Sequence, residues 1–159
     1  MNSGEINEIS NWSDWRQCDA TSIPSSPGIY AFRIGGGVAV PRVRGQSDIL
    51  YIGSSMVNLR MRLRKHHQMR TAESLLLNLI ETHLGQSEVG WASLDQASAF
   101  ATESDLIFKY SQEHLEFPPA NNQQPARAVR EKILNLVSLL PPHVKVQVIH
   151  HFADKRLEH

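Results

Sequence analysis

Two tripeptides, Gly28-Ile29-Tyr30 and Tyr51-Ile52-Gly53, each set a phenol and a glycine in a short apolar run, and a dense row of cations follows the second. Residues 31–70 carry Arg33, Arg42, Arg44, Arg60, Arg62, Arg64, Lys65 and Arg70 against the single acid Asp48. Half of the chain's 16 Lys and Arg therefore lie in a quarter of its length, although the formal net charge over 159 residues is zero. Attraction for a polyanion is thus local, and a solvated helix face would look the same in charge alone. A tyrosine titrates near about 10 and accepts a proton at neutral pH only where cations favour the phenolate, which is the field such a row supplies. Each tripeptide alone is equally consistent with two tyrosines packing across a strand pair. His67, His83, His114, His143, His150 and His151 have no zinc-like spacing with the lone Cys18 and read as surface histidines.

These groups need elements to position them. Residues 29–34 have the β-branched and aromatic content of a strand, ended by Gly35-Gly36-Gly37. Residues 38–48, with Pro41 and Gly45, read as an extended or mobile connection, and 49–54 as a second, antiparallel strand. Alternation puts Tyr51 and Gly53 on one face of it and Leu50 and Ile52 on the other. Asn58 is an N-cap candidate for a helix over 58–70. A further helix is expected over 72–84, where Leu75, Leu76, Leu79 and Ile80 recur at helical spacing and Gly85 supplies the stop. A third strand over 89–94 leads to a helix capped by Asp95 or Ser98, running through Ala101, Leu106, Ile107 and Tyr110 to Phe117-Pro118-Pro119. Beyond it lie a helix over 126–140, stopped by Pro141-Pro142, and an alternation at Val144, Val146 and Val148 that suits a strand. Residues 1–26 are polar and turn-rich, and Trp12 and Trp15 mark them as an anchoring arm.

The second tripeptide is followed by Ser54 and by Asn58-Leu59-Arg60-Met61-Arg62-Leu63; later come Ala101-Thr102-Glu103-Ser104-Asp105-Leu106-Ile107 and Phe117-Pro118-Pro119-Ala120-Asn121. In this order the chain resembles the GIY-YIG nuclease family from Pro27 to about Asn121. The resemblance implies a small α+β fold of the α/β type, with a three-stranded central sheet flanked by helices, here with a C-terminal helical and strand extension. It makes Arg62 the counterpart of the catalytic arginine and Glu103 the metal-binding carboxylate, and it carries Asn121 into the site. Tyr30 becomes the general base or the group orienting the attacking water, with Tyr51 as its hydrogen-bonding partner. His66, one turn beyond Arg62, falls where some members have a histidine. Arg60, Arg64, Lys65, Arg42 and Arg44 are the candidates for contacting nucleic acid.

The chemistry is coherent without the family. Phosphodiester hydrolysis needs a nucleophilic water, an electrophilic clamp on the phosphoryl oxygens and charge or a proton for the leaving alkoxide. A guanidinium at Arg62 gives a planar fork of donors that a lysine lacks. A hard ion, Mg2+ or Mn2+, keeps most of its waters, so one carboxylate and a substrate phosphate suffice to hold it. The connection between the tyrosines is longer than in common members, and one extra residue separates Tyr51 from the Arg62 helix. The insertion, with Gly35 to Gly37, Arg42 and Arg44, is either a flexible basic finger touching DNA or a neutral surface loop.

The expectation is one domain: an arm (1–26), a nuclease-like core (27–122) and an extension (123–156), with 157–159 reading as the remnant of a purification tag. Function follows as a metal-dependent endonuclease acting on DNA, with RNA left open. The alternatives are a non-cleaving nucleic-acid module on the same scaffold, and an interaction domain in which 126–140 mediates dimerisation. The lone cysteine fits a reducing compartment, the first residues lack a signal-peptide pattern, and no run approaches the roughly 20 apolar residues of a membrane span. Cytoplasm is the expected location.

Overall fold

The computed structural model describes residues 1–68 and 86–121. In chain order the elements are β1 (Trp12–Asp14), β2 (Gly28–Ile34), β3 (Val40–Pro41), β4 (Gln46–Ser47), β5 (Ile49–Ser55), α1 (Leu59–His67), β6 (Ser87–Ser93) and α2 (Gln96–His114). Ile29, Tyr30, Ala31, Phe32 and Ile34 are all buried, so both faces of β2 are covered and it runs inside the sheet. The order is β1-β6-β2-β5, with every neighbour antiparallel. In this mixed α+β architecture the central sheet has four strands where the sequence leads to three, and β3 and β4 pair separately. The extra strand, β1, comes from the segment read as an arm; at three residues it is too short to show alternation. Gly90 makes room for it, since a Cβ there would lie 2.4 Å from Ile9 Cγ2 and 3.0 Å from Trp12 Cδ2.

Successive residues of β2 point to opposite faces and so divide the core in two. On one face Ile29, Ala31, Ile49 and Ile52 pack with Ala99, Leu106, Ile107 and Tyr110 of α2 and with Met1, Ile6 and Ile9. On the other, Tyr30, Phe32, Leu50, Tyr51 and Val89 pack with Leu59 and Leu63 of α1. Leu50 joins Tyr51 there, contrary to strict alternation. The register passes from Phe32↔Tyr51 to Arg33↔Ile49, so Leu50 is the extra residue of a β-bulge.

Both helices start as their polar residues dictate. The Asn58 side chain accepts from the Met61 amide, and the Asp95 side chain accepts from the Ser98 amide. The helix expected over 58–70 ends at His67, with Gln68 as its cap. The helices expected over 72–84 and 126–140 and the strand over 144–148 lie outside the described residues. Among the described residues no helix is long and apolar enough to cross a membrane.

Candidate active site

The glycines of the two tripeptides are required by contact. A Cβ on Gly28 would lie 2.1 Å from the Ala92 carbonyl oxygen of β6, and 2.6 Å from Leu59 Cδ1 of α1. A Cβ on Gly53 would lie 2.6 Å from Tyr51 Cε1 and 2.8 Å from both Cζ and Oη of Tyr30. Gly53 therefore leaves the space into which both tyrosines pack, their ring centroids 5.8 Å apart. The sequence motif is thus a packing unit: strand pairing brings Tyr30 opposite Gly53, and the missing side chain admits the phenols.

From α1, Arg62 and His66 come one turn apart onto the face that Leu59 and Leu63 bury. They meet at the Tyr30 hydroxyl. Arg62 Nε donates to Tyr30 Oη at 3.0 Å, and His66 Nε2 lies 2.8 Å from the same oxygen. Tyr51 is also within hydrogen-bonding reach of Tyr30. Tyr30 is fully enclosed and Tyr51 is 6% exposed, so Tyr51 is the phenol nearer to solvent.

Burial pushes the Tyr30 phenol well above its ordinary pKa, and the charge and hydrogen bond of Tyr51 push the same way; Arg62 opposes them without prevailing. Tyr30 is therefore a neutral hydroxyl at neutral pH. Its one proton can reach His66 when Nε2 is bare, the tautomer with the proton on Nδ1. For Arg62, burial works against the charge, but the phenol oxygens of Tyr30 and Tyr51 outweigh it and hold the pKa above the ordinary arginine value. The site keeps a fixed cation beside the neutral Tyr30 phenol.

Glu103 enters from α2. The Ser54 hydroxyl, on β5 immediately after Gly53, donates to Glu103 Oε2 at 2.5 Å. Burial raises the Glu103 pKa, and the Ser54 hydrogen bond and the Arg62 charge partly offset it. The Arg62 charge therefore reaches the carboxylate. Oε1 of Glu103 has no partner among the described residues. Ser54 was not distinguishable in the sequence, where it is one small polar residue ending a strand.

Asn121 has a different place. Its Oδ1 accepts from the Ile52 amide at 2.9 Å, and its Nδ2 donates to the Ile52 carbonyl at 2.6 Å. With the Ala120 amide on the Leu50 carbonyl, it covers the outer edge of β5 and fixes the strand that bears Tyr51. Both ends of its amide are engaged on backbone, which makes it a positioning residue here.

The cations expected on nucleic acid divide sharply. Arg42 Nη2 donates to the Ile49 carbonyl, and Arg44 donates to the Gln112 and Glu113 carbonyls at the C-terminal end of α2. Arg60 donates to the Ile23 and Thr21 carbonyls. These three hold the 38–48 connection and the N-terminal segment in place; β3 and β4 form a short hairpin docked on α2. Arg64 and Lys65 are exposed and have no partner among the described residues.

Among the described residues no three His, Cys, Asp or Glu side chains gather as a metal-holding group. The donor set fits an ion that retains most of its waters: one carboxylate oxygen of Glu103 has no partner among the described residues, and the other is fixed by Ser54. Compared with protein-family models, curated proteins and solved structures, the chain matches none of them.

Proposed function

We propose that this chain is a GIY-YIG-type endonuclease that hydrolyses DNA phosphodiester bonds with a divalent ion, magnesium or manganese. The observation that carries the reading is the meeting of Arg62 and His66 on one phenol oxygen, that of Tyr30, with Tyr51 beside it. A tyrosine that serves packing alone needs one hydrogen-bond partner. A permanent cation and an imidazole brought to it from one helix support a clamp and a proton acceptor acting together.

Arg62 has five N–H donors against two phenol acceptors, so donors remain for the phosphoryl oxygens. Tyr51, nearer to solvent, orients the attacking water. As the new P–O bond forms, the water's proton passes by way of Tyr51 and Tyr30 to His66 Nε2. The bond to the leaving alkoxide breaks, and the alkoxide takes its proton from solvent. When bound, the ion supplies Lewis-acid stabilisation of the developing charge; Glu103 would hold it. Arg64 and Lys65 would track the phosphates on either side.

Incubating the protein with supercoiled, branched and single-stranded DNA, with and without magnesium, tests the reading. Metal-dependent product that Glu103→Ala abolishes is expected. No product on any substrate, with salt-sensitive binding through Arg64 and Lys65, would instead favour the non-cleaving module.

A further inference from the structure

Ser54 lies inside β5, one residue before its end. It follows Gly53 on β5, and its hydroxyl donates to Glu103 Oε2, an atom brought from a different helix on the opposite side of the sheet from Tyr30. β5 rises about 3.3 Å per residue, so Ser54 lies roughly 10 Å along the same strand from Tyr51. One rigid element therefore sets both a phenol and the carboxylate.

A carboxylate on a glutamate has three side-chain torsions to lose before it can present one oxygen in one direction. The Ser54 hydrogen bond fixes Oε2 and, with it, the direction of Oε1. The helix cannot supply this by itself: Glu103 lies in the second turn of α2, past the reach of the Asp95 cap. The strand cannot slide either, because Asn121 locks its outer edge at Ile52 and β2 pairs with its inner edge.

We propose that Ser54 is a positioning residue that orients Glu103 to present Oε1 as the single protein ligand of a hard divalent cation. This rests on the nuclease reading above. Hydroxyls of this kind, which hold a metal ligand without touching the metal, change affinity by about 10–100-fold when removed. A residue that merely filled space would not.

The test uses the whole chain, without DNA. Mn2+ is titrated into the wild type, Ser54→Ala, Ser54→Thr and Glu103→Ala, and the paramagnetic broadening of backbone amide signals around residues 54 and 103 is followed. Ser54→Thr keeps the hydroxyl and suits a strand. The expected result is a half-saturation for Ser54→Ala that is about 10–100-fold higher than wild type, near-normal binding by Ser54→Thr, and no localised broadening in Glu103→Ala. A wild type that shows no localised broadening overturns the metal role of Glu103 and this proposal with it. A wild type that binds while Ser54→Ala binds equally well overturns the Ser54 proposal alone. If Ser54→Ala fails to fold, the threonine variant decides: weakened binding in a folded Ser54→Thr contradicts the hydroxyl's role.

Discussion

Replacing Gly53 by alanine should be costly for a reason that can be measured without any assumption about activity. The new Cβ would lie 2.6 Å from Tyr51 Cε1 and 2.8 Å from Tyr30 Cζ and Oη. Carbon atoms at rest stand about 3.5–4.0 Å apart, so the rings must retreat by about 1 Å. Tyr30 has no open space to enter, being fully buried and packed edge-on against Phe32 and His66, and Tyr51 packs against the same two rings. Overpacking of this kind costs about 1–3 kcal/mol. At this chain length each kcal/mol lowers the melting temperature by about 2–4 °C. A 1 Å retreat of Tyr30 Oη also breaks its contacts with Arg62 and His66, which lie at 3.0 and 2.8 Å. Urea unfolding and thermal melts of Gly53→Ala would be compared with Gly4→Ala, where a Cβ meets nothing within 4 Å. The clash should shrink when Tyr51→Ala is combined with Gly53→Ala, and a double-mutant cycle would read that coupling. Gly53→Ala as stable as Gly4→Ala would refute the packing argument.

Further outcomes follow from the same contacts. Asn121→Ala removes two hydrogen bonds from the β5 edge and should cost about 1–3 kcal/mol, with faster hydrogen exchange at the Ile52 amide. Because burial raises the Glu103 pKa on folding, its charge opposes folding above the folded-state pKa and has no effect below the unfolded one. Glu103→Gln, compared with wild type in chelator, should therefore gain stability as pH rises through that window and show no difference in strong acid; a gain confined to acid would contradict the sign. Arg44→Ala should leave the salt dependence of DNA binding unchanged, because Arg44 is engaged on the Gln112 and Glu113 carbonyls. Arg64→Ala or Lys65→Ala should each lower the slope of log affinity against log salt by about 1. A reduced slope for Arg44→Ala would place the hairpin on the nucleic acid after all.

What was legible in the sequence was what local chemistry determines. β2 announced itself through a β-branched and aromatic run stopped by Gly35 to Gly37, β5 through the apolar run at its start, and α1 and α2 through Asn58 and the pair Asp95 or Ser98 as cap candidates, of which Asp95 is the cap. That Tyr30, Tyr51, Arg62 and His66 belong together was implied by the family resemblance alone, because the contacts that join them span some thirty residues of sequence. β1 was hidden because three residues carry no periodicity, and the Leu50 bulge because it depends on the partner strand's register. The targets of Arg42, Arg44 and Arg60 are carbonyls distant in sequence, so composition could show only that the segment is basic. The same holds for Ser54, which acquires meaning only when α2 lays Glu103 beside it.

Under the proposed function Arg62, held by the two phenols, clamps a phosphoryl group during metal-dependent cleavage. Single-turnover nicking of supercoiled DNA in magnesium, by wild type and by Arg62→Ala of equal melting temperature, tests it most directly. The account predicts a loss of about 10²–10³-fold in the cleavage rate, the size seen when one preorganised donor to a developing oxyanion is removed. Nicking by Arg62→Ala at the wild-type rate would contradict it.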